Sequence, residues 1–406
     1  MLWLYNFGIF FYGFFIKIAS LFNSKARLFQ KGRKNIFITI EKRVNNTKKH
    51  IWFHFASLGE FEQGRPVLEQ LKINDPERKI IITFFSPSGY EVRKAYPLAD
   101  AIFYLPLDTR KNAEEFIRLI NPEIAVFTKY EFWYHYFKAL HDKQVPVFII
   151  SGIFRPGQVF FKWYGGFNRK ILQFVNHFFV QNEQSVSLLK STGLENVSLS
   201  GDTRFDRVAV HAQRPGQFPA IAAFCGDAPV FIAGSTWPQD EQLLAGLIAK
   251  QPDWKFIIAP HEVHTGHIQQ LQALLPNIIK YTDLEKNGSL IQGNVLLIDN
   301  IGMLSAVYQY GKMSYIGGGF GAGIHNTLEA AAFGLPVIFG PRYEKFQEAK
   351  DLIGLGAAIS IGTAEQLLLA FEKLQQDNNA GQIAAGYVKA KTGATEQIVL
   401  YLENYI

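Results

Sequence analysis

From His50 onward the chain repeats one pattern, a short apolar run followed by an amphipathic stretch, and it does so in two series separated by a break. The first series places candidate strands at 51–57, 80–85, 101–105, 124–128, 147–151, 177–181 and 197–200. Between them lie helical segments such as 108–120, where Ala113, Phe116, Ile117 and Ile120 share one face. The second series places strands at 230–234, 255–259, 295–299, 313–316, 336–339 and 358–361. Strand, helix, strand in this order predicts parallel pairing, and a parallel sheet must be covered on both faces. The break, 202–228, holds Pro215, Gly216, Pro219 and Gly226 and reads as an interdomain linker. The expected organisation is therefore α/β, with domains at 50–201 and 229–406, each a Rossmann-like unit. The tail from about Asn378 is helical in character and free to cross back to the first domain. Two such sheets facing each other leave a cleft at the carboxyl ends of their strands, where ligands bind in folds of this kind.

Ahead of these domains stands a different kind of segment. Residues 1–22, MLWLYNFGIFFYGFFIKIASLF, carry one charge, Lys17, and about 20 apolar residues suffice to cross a bilayer core. Residues 23–49 follow as a basic segment. Over residues 1–50 there are ten Lys/Arg against Glu41 alone, while the remaining 356 residues hold 31 basic and 34 acidic groups. A nucleic-acid binder spreads its basic surface over a folded domain. Here the surplus adjoins an apolar terminus, so the expected anionic partner is a membrane surface and not nucleic acid. The basic residues follow the apolar stretch, which favours a retained anchor with the domains in the cytoplasm over a cleaved signal peptide. Spanning the bilayer and lying along it both remain open at this point. Cys225 is the only cysteine, which excludes an internal disulfide and fits a reducing compartment.

Three stretches carry candidate chemistry. In His54-Phe55-Ala56-Ser57-Leu58-Gly59-Glu60 a strand runs through a turn into a helix, and Glu60 opens that helix. A carboxylate there is placed to act as a general base on an attacking hydroxyl, and equally to cap the helix. Glu131, in Thr128-Lys129-Tyr130-Glu131-Phe132-Trp133, ends a second strand at the same rim. The run 315–329, Tyr-Ile-Gly-Gly-Gly-Phe-Gly-Ala-Gly-Ile-His-Asn-Thr-Leu-Glu, leads a strand through a glycine-rich loop into a helix. Gly318 and Gly319 would let an anion approach the backbone, and Glu329 would meet ribose hydroxyls; a turn that tightens strand–helix packing is the competing reading. Gly234 to Trp237, Pro260-His261-Glu262 and Asp299 to Met303 bring further small or polar groups to the ends of strands. His261, His264 and His267 do not have the H-E-x-x-H spacing of a zinc site, so no metal is expected. The stretch 155–164 mixes Arg155 and Lys162 with Phe160, Phe161, Trp163 and Tyr164. It suits either a lipid interface or a helix packed on the first sheet.

Taken in order, these motifs resemble the Kdo (3-deoxy-D-manno-octulosonic acid) transferase family of lipopolysaccharide synthesis. The matching runs are 56–60, 106–108, Glu131 with Trp133, Gln181 with Glu183, 201–206, Gly302, and 317–329 with Gly340-Pro341. The resemblance implies the GT-B arrangement, with acceptor on the N-terminal half and CMP-sugar on the C-terminal half. It implies Glu60 as general base, and Glu131 and Arg204 as groups supporting the transition state. Pro260, His261, Ile301, Gly302, Met303, Asn326, Thr327, Leu328 and Glu329 would line the CMP site. Where many members have Arg-His-Pro this chain has Ala259-Pro260-His261, and where they often have lysine it has Arg204, whose planar fork donates differently. The implied reaction is inverting transfer of Kdo from CMP-Kdo to the glucosamine 6′-hydroxyl of a lipid A precursor. It would take place at the cytoplasmic face of the inner membrane of a Gram-negative type bacterium and call for no cofactor. Competing readings are a GT-B transferase or epimerase using a UDP-sugar, and a non-catalytic membrane-bound nucleotide-binding protein.

Overall fold

In a computed structural model of the protein, described over residues 1–287 and 293–406, the chain divides into two compact units. Unit 1 comprises Met1–Asp206 together with Thr392–Ile406, and unit 2 is Arg207–Lys391.

Unit 1 is built on seven strands: β1 (His50–Phe55), β2 (Ile80–Phe84), β3 (Ala101–Tyr104), β4 (Pro122–Thr128), β5 (Val147–Gly152), β6 (His177–Val180) and β7 (Val197–Leu199). They pair in parallel in the order β3-β2-β1-β4-β5-β6-β7. Every residue of β1 is buried, because helices cover both faces and alternation has no wet side to serve. Its side chains still alternate between two cores. Trp52 joins Phe116, Phe127 and Tyr136, whereas Phe53 and Phe55 join Phe61 and Leu68. That second core is completed from the far end of the chain by Ile398, Val399 and Leu402 of the helix Ala394–Leu402. Asp206 fastens this return, its carboxylate accepting from the backbone N–H of Gly393 (2.5 Å) and of Thr395 (2.7 Å) and from the Thr395 hydroxyl (2.7 Å).

Unit 2 repeats the plan with β8 (Val230–Thr236), β9 (Lys255–Pro260), β10 (Ile279–Lys280), β11 (Val295–Leu297), β12 (Met313–Ile316), β13 (Val337–Phe339) and β14 (Ala358–Ser360). Their order is β10-β11-β9-β8-β12-β13-β14, again all parallel. The edge strand β10 has two residues and leaves no periodic trace in the sequence, which is why the pattern misses it. In each sheet the order reverses direction at one point, between β1 and β4 and between β8 and β12. Chain crossovers leave on opposite sides there, opening a crevice at the strand ends.

Two expected segments have more structure than the sequence suggests. The basic stretch 23–49 forms two helices, α2 (Ser24–Arg33) and α3 (Ile36–Arg43), which follow α1 (Leu2–Ala19). They bury Phe29, Ile36 and Ile40. Arg33 lies inward, donating to the carbonyls of Leu105 (2.8 Å), Phe85 (2.7 Å) and Phe29 (3.2 Å), and burial lowers its pKa to about 9. The stretch 202–228 is not an open linker. It holds the helices Thr203–Gln213 and Pro219–Cys225, and the prolines and glycines flank them, with Pro219 in the first turn of the second.

Because Ile398 is fully buried, Ile398→Ala is expected to destabilise unit 1 by about 2–4 kcal/mol. Urea unfolding would register it as a lower midpoint with unchanged slope.

Candidate functional site

The switch point of the first sheet gathers the polar groups of unit 1. After β1 the chain turns at Ala56-Ser57 into α4 (Leu58–Asn74), which places Glu60 in the first turn. Its Oε2 accepts the N–H of Ala56, the residue before the N-cap Ser57, at 2.5 Å, so the carboxylate turns back onto the strand–helix turn. The carboxyl is nonetheless perturbed. Burial, followed by the negative charge of Glu131, raises its pKa from 4.5 to about 7, against smaller lowering by Ala56 N–H and Lys129.

Glu131 follows β4 on the neighbouring strand. The turn into it holds Lys129 in the left-handed region (φ 59°), a conformation that strains a residue with a Cβ. Glu131 Oε2 receives two donors, Trp133 Nε1 (2.9 Å) and His54 Nε2 (3.2 Å). His54 is fully buried. On its other side Trp52 Nε1 donates to Thr83 Oγ1 at 2.8 Å, the same oxygen meets His54 Nδ1 at 2.8 Å, and the Thr83 hydroxyl donates to Phe53 O at 3.4 Å. A carboxylate oxygen only accepts, so His54 presents an Nε2 proton to Glu131. This chain, Trp52–Thr83–His54–Glu131, was not anticipated. The signal was present in the sequence, as two polar residues in otherwise apolar strands.

Arg204 is elsewhere on the rim. Its guanidinium pairs with Asp202 through Nε (2.9 Å) and Nη2 (2.8 Å). Its neighbour Thr203 donates to the Gln63 carbonyl on α4 and meets Ser151 Oγ at 3.1 Å. Glu60 and Glu131 thus act on each other directly, whereas Arg204 is engaged by its own carboxylate.

In unit 2 the switch point lies between the ends of β8 and β12. The unpredicted residue that organises it is Asp240, fully buried in the helix Pro238–Lys250. Its Oδ2 accepts the N–H groups of Trp237 (2.9 Å) and Gly318 (3.0 Å), and its Oδ1 accepts Tyr315 Oη (2.7 Å). The glycine loop is spent largely on packing. A Cβ on Gly317 would lie 2.3 Å from the Ser235 carbonyl, and one on Gly319 would strike the Gly340 backbone. The N–H groups of Gly317, Gly318, Gly321 and Gly323 donate to Gly234 O, Asp240, Gly318 O and Gly318 O respectively. Those four are satisfied within the protein, which leaves less of the loop for an anion than five glycines suggest.

Beyond the loop, Asn326 Nδ2 donates to Glu329 Oε1 (3.1 Å), and Asn326 Oδ1 accepts the Leu328 N–H (3.1 Å). Thr327 is buried, and its hydroxyl has no hydrogen-bond partner among the described residues. Next to them is an aromatic stack: His261 lies 4.9 Å from Trp237 and 4.2 Å from His325, with interplanar angles of 27° and 22°. Trp237 Nε1 donates to His325 Nε2 (3.1 Å), so His325 is neutral with its proton on Nδ1; burial and His261 lower its pKa to about 4. Pro260 ends β9 beside His261. Ile301 is 87% exposed, Gly302 has φ 95°, and Met303 turns inward. The other two histidines of the 261–267 run have separate tasks. His264 caps the helix Thr265–Leu274, and His267 pairs with buried Glu241 at 2.9 Å. Among the described residues no three His, Cys, Asp or Glu side chains converge as metal ligands.

Residues 30–207 match the family described as 3-deoxy-D-manno-octulosonic-acid transferase (kdotransferase). The chain is 27% identical over 326 residues to the 3-deoxy-D-manno-octulosonic acid transferase of Chlamydophila psittaci, covering 77% of this chain and 75% of that one. To the Aquifex aeolicus transferase it is 25% identical over 339 residues, covering 82% and 88%. A bifunctional glycosyltransferase/methyltransferase of Fusobacterium nucleatum is 24% identical over 376 residues; the match takes in 88% of this chain but 58% of that longer protein. Among solved structures, UDP-GlcNAc 2-epimerase from Neisseria meningitidis superposes with a TM-score of 0.61 at 17% identity, over 87% of this chain and all of that one. A putative UDP-N-acetylglucosamine 2-epimerase from Listeria monocytogenes gives the same score at 14% identity, over 88% and 96%. The resemblance carried by the motifs therefore holds, and the fold is of the GT-B kind, with two Rossmann-like units.

The raised pKa of Glu60 has a consequence for stability. Between pH 4.5 and about 7 the folded chain keeps a proton that the unfolded chain has released, so stability falls as pH rises through that window. The fall is on the order of 1–2 kcal/mol once solvent screening of a partly exposed group is included. Glu60→Gln, neutral throughout, should flatten that part of the stability–pH curve measured by denaturant titration.

Proposed function

Taking kinship with the Kdo transferases as premise, we propose that this chain transfers Kdo from CMP-Kdo to the glucosamine 6′-hydroxyl of a lipid A precursor, with inversion, at the cytoplasmic face of a bacterial inner membrane. The observation that carries the reading is Glu60, a partly buried carboxylate with a pKa of about 7, standing at the switch point of its sheet beside a second, hydrogen-bonded carboxylate. A general base is most effective with a pKa near the working pH, and burial beside Glu131 supplies that.

In the reaction Glu60 removes the proton from the acceptor hydroxyl as its oxygen bonds to the anomeric carbon of Kdo. The bond from that carbon to the CMP phosphate oxygen breaks, and its electron pair leaves with CMP. Glu131 is held in place by His54 and Trp133, which both donate to it. Its charge keeps Glu60 basic and faces the positive charge that develops on the sugar. Arg204 supplies a cation once it exchanges Asp202 for an anionic oxygen. On the donor unit, Pro260, His261, Ile301, Gly302 and Met303 receive the nucleotide, and Glu329, oriented by Asn326, accepts from ribose hydroxyls. Gly318, Gly319, Thr327 and Leu328 shape the loop and helix start that receive the phosphate. Stabilising a departing phosphate is electrostatic work, within reach of dipoles and cations already in the chain.

Incubation with CMP-Kdo and a lipid A precursor, read by product mass, tests the reading. One added Kdo unit or more supports it, and no product overturns it. CMP should raise the melting temperature and UDP should not; the reverse would favour a UDP-sugar enzyme. Glu60→Gln should retain the CMP shift while kcat falls by about 10²–10⁴. For the native chain kcat should rise with pH through an apparent pKa of about 7, as Glu60 loses its proton. In Glu131→Gln that acid limb should move to lower pH, because the neighbouring charge that raises Glu60 has been removed.

A further inference from the structure

By composition α1 passes for a membrane span: 18 residues, apolar on every side. Its surroundings argue otherwise. No residue of the helix is fully buried, but from Tyr5 to Gly13 one side lies against the rest of unit 1. Near the N-terminal end Tyr5 Oη donates to buried Asp108 (2.5 Å), and Asn6 Oδ1 meets His135 Nε2 (2.6 Å). Asp108 also accepts the N–H groups of His135 and Tyr136 at the start of the helix Tyr134–Asp142, so the tether is set into the frame of the domain. The Tyr5 ring packs 5.7 Å from Phe167. Further along, Tyr12 stacks on Phe85 at 5.9 Å and 28°, and the backbone at Gly13 comes so near that a Cβ there would lie 2.8 Å from Leu107 Cδ1.

Among the described residues, nothing covers the opposite side. Trp3, Phe7, Phe10, Phe14 and Ile18 recur at steps of three and four, all exposed, and Leu21 and Phe22 (86% exposed) extend the row. Exposed cations follow at Lys25, Arg27, Lys31 and Lys34. Trp163, 91% exposed, and Tyr164 stand just ahead of Phe167, the residue that packs on Tyr5. Aromatic rings with adjacent lysines and arginines are the side chains that settle at a lipid–water boundary.

We propose that α1 does not cross the bilayer but lies in the plane of an anionic phospholipid leaflet, held between unit 1 and the acyl chains, with Trp163 and Tyr164 inserted beside it. The helix is apolar nearly all round because protein lies against part of it and lipid takes up the rest. A crossing helix would have to release Asp108 and His135, or draw their polar groups into hydrocarbon, where unpaired backbone and carboxylate are strongly disfavoured. The positive residues beyond its end select an anionic surface. The inference rests on the membrane part of the function proposed above and is independent of sugar transfer.

The test uses the full chain with one epitope ahead of Met1 and another after Ile406, in sealed inner-membrane vesicles whose cytoplasmic face is outward. Protease should remove both epitopes without detergent. Protection of the N-terminal epitope while the C-terminal one is cut would mean a span and overturn the proposal. In parallel, the purified chain should sediment with phosphatidylcholine vesicles containing about a quarter phosphatidylglycerol, and Phe10→Glu should weaken that binding about tenfold or more. Phe10 is 68% exposed, so the melting temperature of the variant should match the parent. Binding unchanged by Phe10→Glu overturns the assignment of this face. A parent that fails to sediment overturns membrane docking altogether, whereas a failed transferase assay touches only the catalytic reading.

Discussion

The arrangement of both units follows from one constraint, that parallel strands cannot be joined by hairpins. Each connection must cross a face of the sheet, and where successive crossovers take opposite faces a crevice opens at the strand ends. In unit 1 this happens between β1 and β4, the strands that lead into Glu60 and Glu131. In unit 2 it happens between β8 and β12, whose ends carry Trp237 and the glycine loop. Three non-glycine residues at strand ends, Lys129, Ser151 and Ser235, have positive φ. Strain of this kind persists where the surrounding fold requires a particular side-chain direction.

Within unit 1 the decisive physics is the pairing of two carboxylates under partial burial. Two adjacent negative charges raise one pKa, and which of the two rises depends on donors. Glu131 has an indole and an imidazole on one oxygen, while Glu60 leans on backbone N–H groups of its own turn. The difference fixes the orientation of Glu131 and leaves Glu60, with a pKa of about 7, able to exchange a proton near neutrality. His54 matters because it bonds Thr83 through one ring nitrogen and Glu131 through the other, so the interior of the sheet fixes the position of the carboxylate at its rim.

Unit 2 shows how a motif can be read correctly in place and too simply in physics. Five glycines suggest a loop open to an anion. Most of that freedom goes instead to letting backbones touch, at Gly317 against Ser235 and at Gly319 against Gly340, and the amide of Gly318 is held by Asp240. Asp240 sits in a Pro-Gln-Asp-Glu stretch that reads as an ordinary helix start. Nothing local distinguishes a first-turn acid that caps from one that reaches across to another strand. Similarly, the carboxylate of Asp206 lies in a stretch read as linker, and only the return of the last helix supplies its partners.

The sequence alone determined what depends on neighbours along the chain: the strands of both sheets except β10, their parallel pairing, the positions of Glu60 and Glu131 at strand ends, and the apolar character of residues 1–22. These are legible because periodicity and turn chemistry act over a few residues. Tertiary structure decided what depends on residues distant in sequence. It set the contacts of His54 with Thr83 and Glu131, the pairing of Arg204 with Asp202, the anchoring of the glycine loop by Asp240, and the tethering of α1 by residues some hundred positions away. A helix apolar on all sides reads the same whether lipid surrounds it or whether protein covers half of it. Composition records how apolar a surface is, but only the folded chain determines what lies against it.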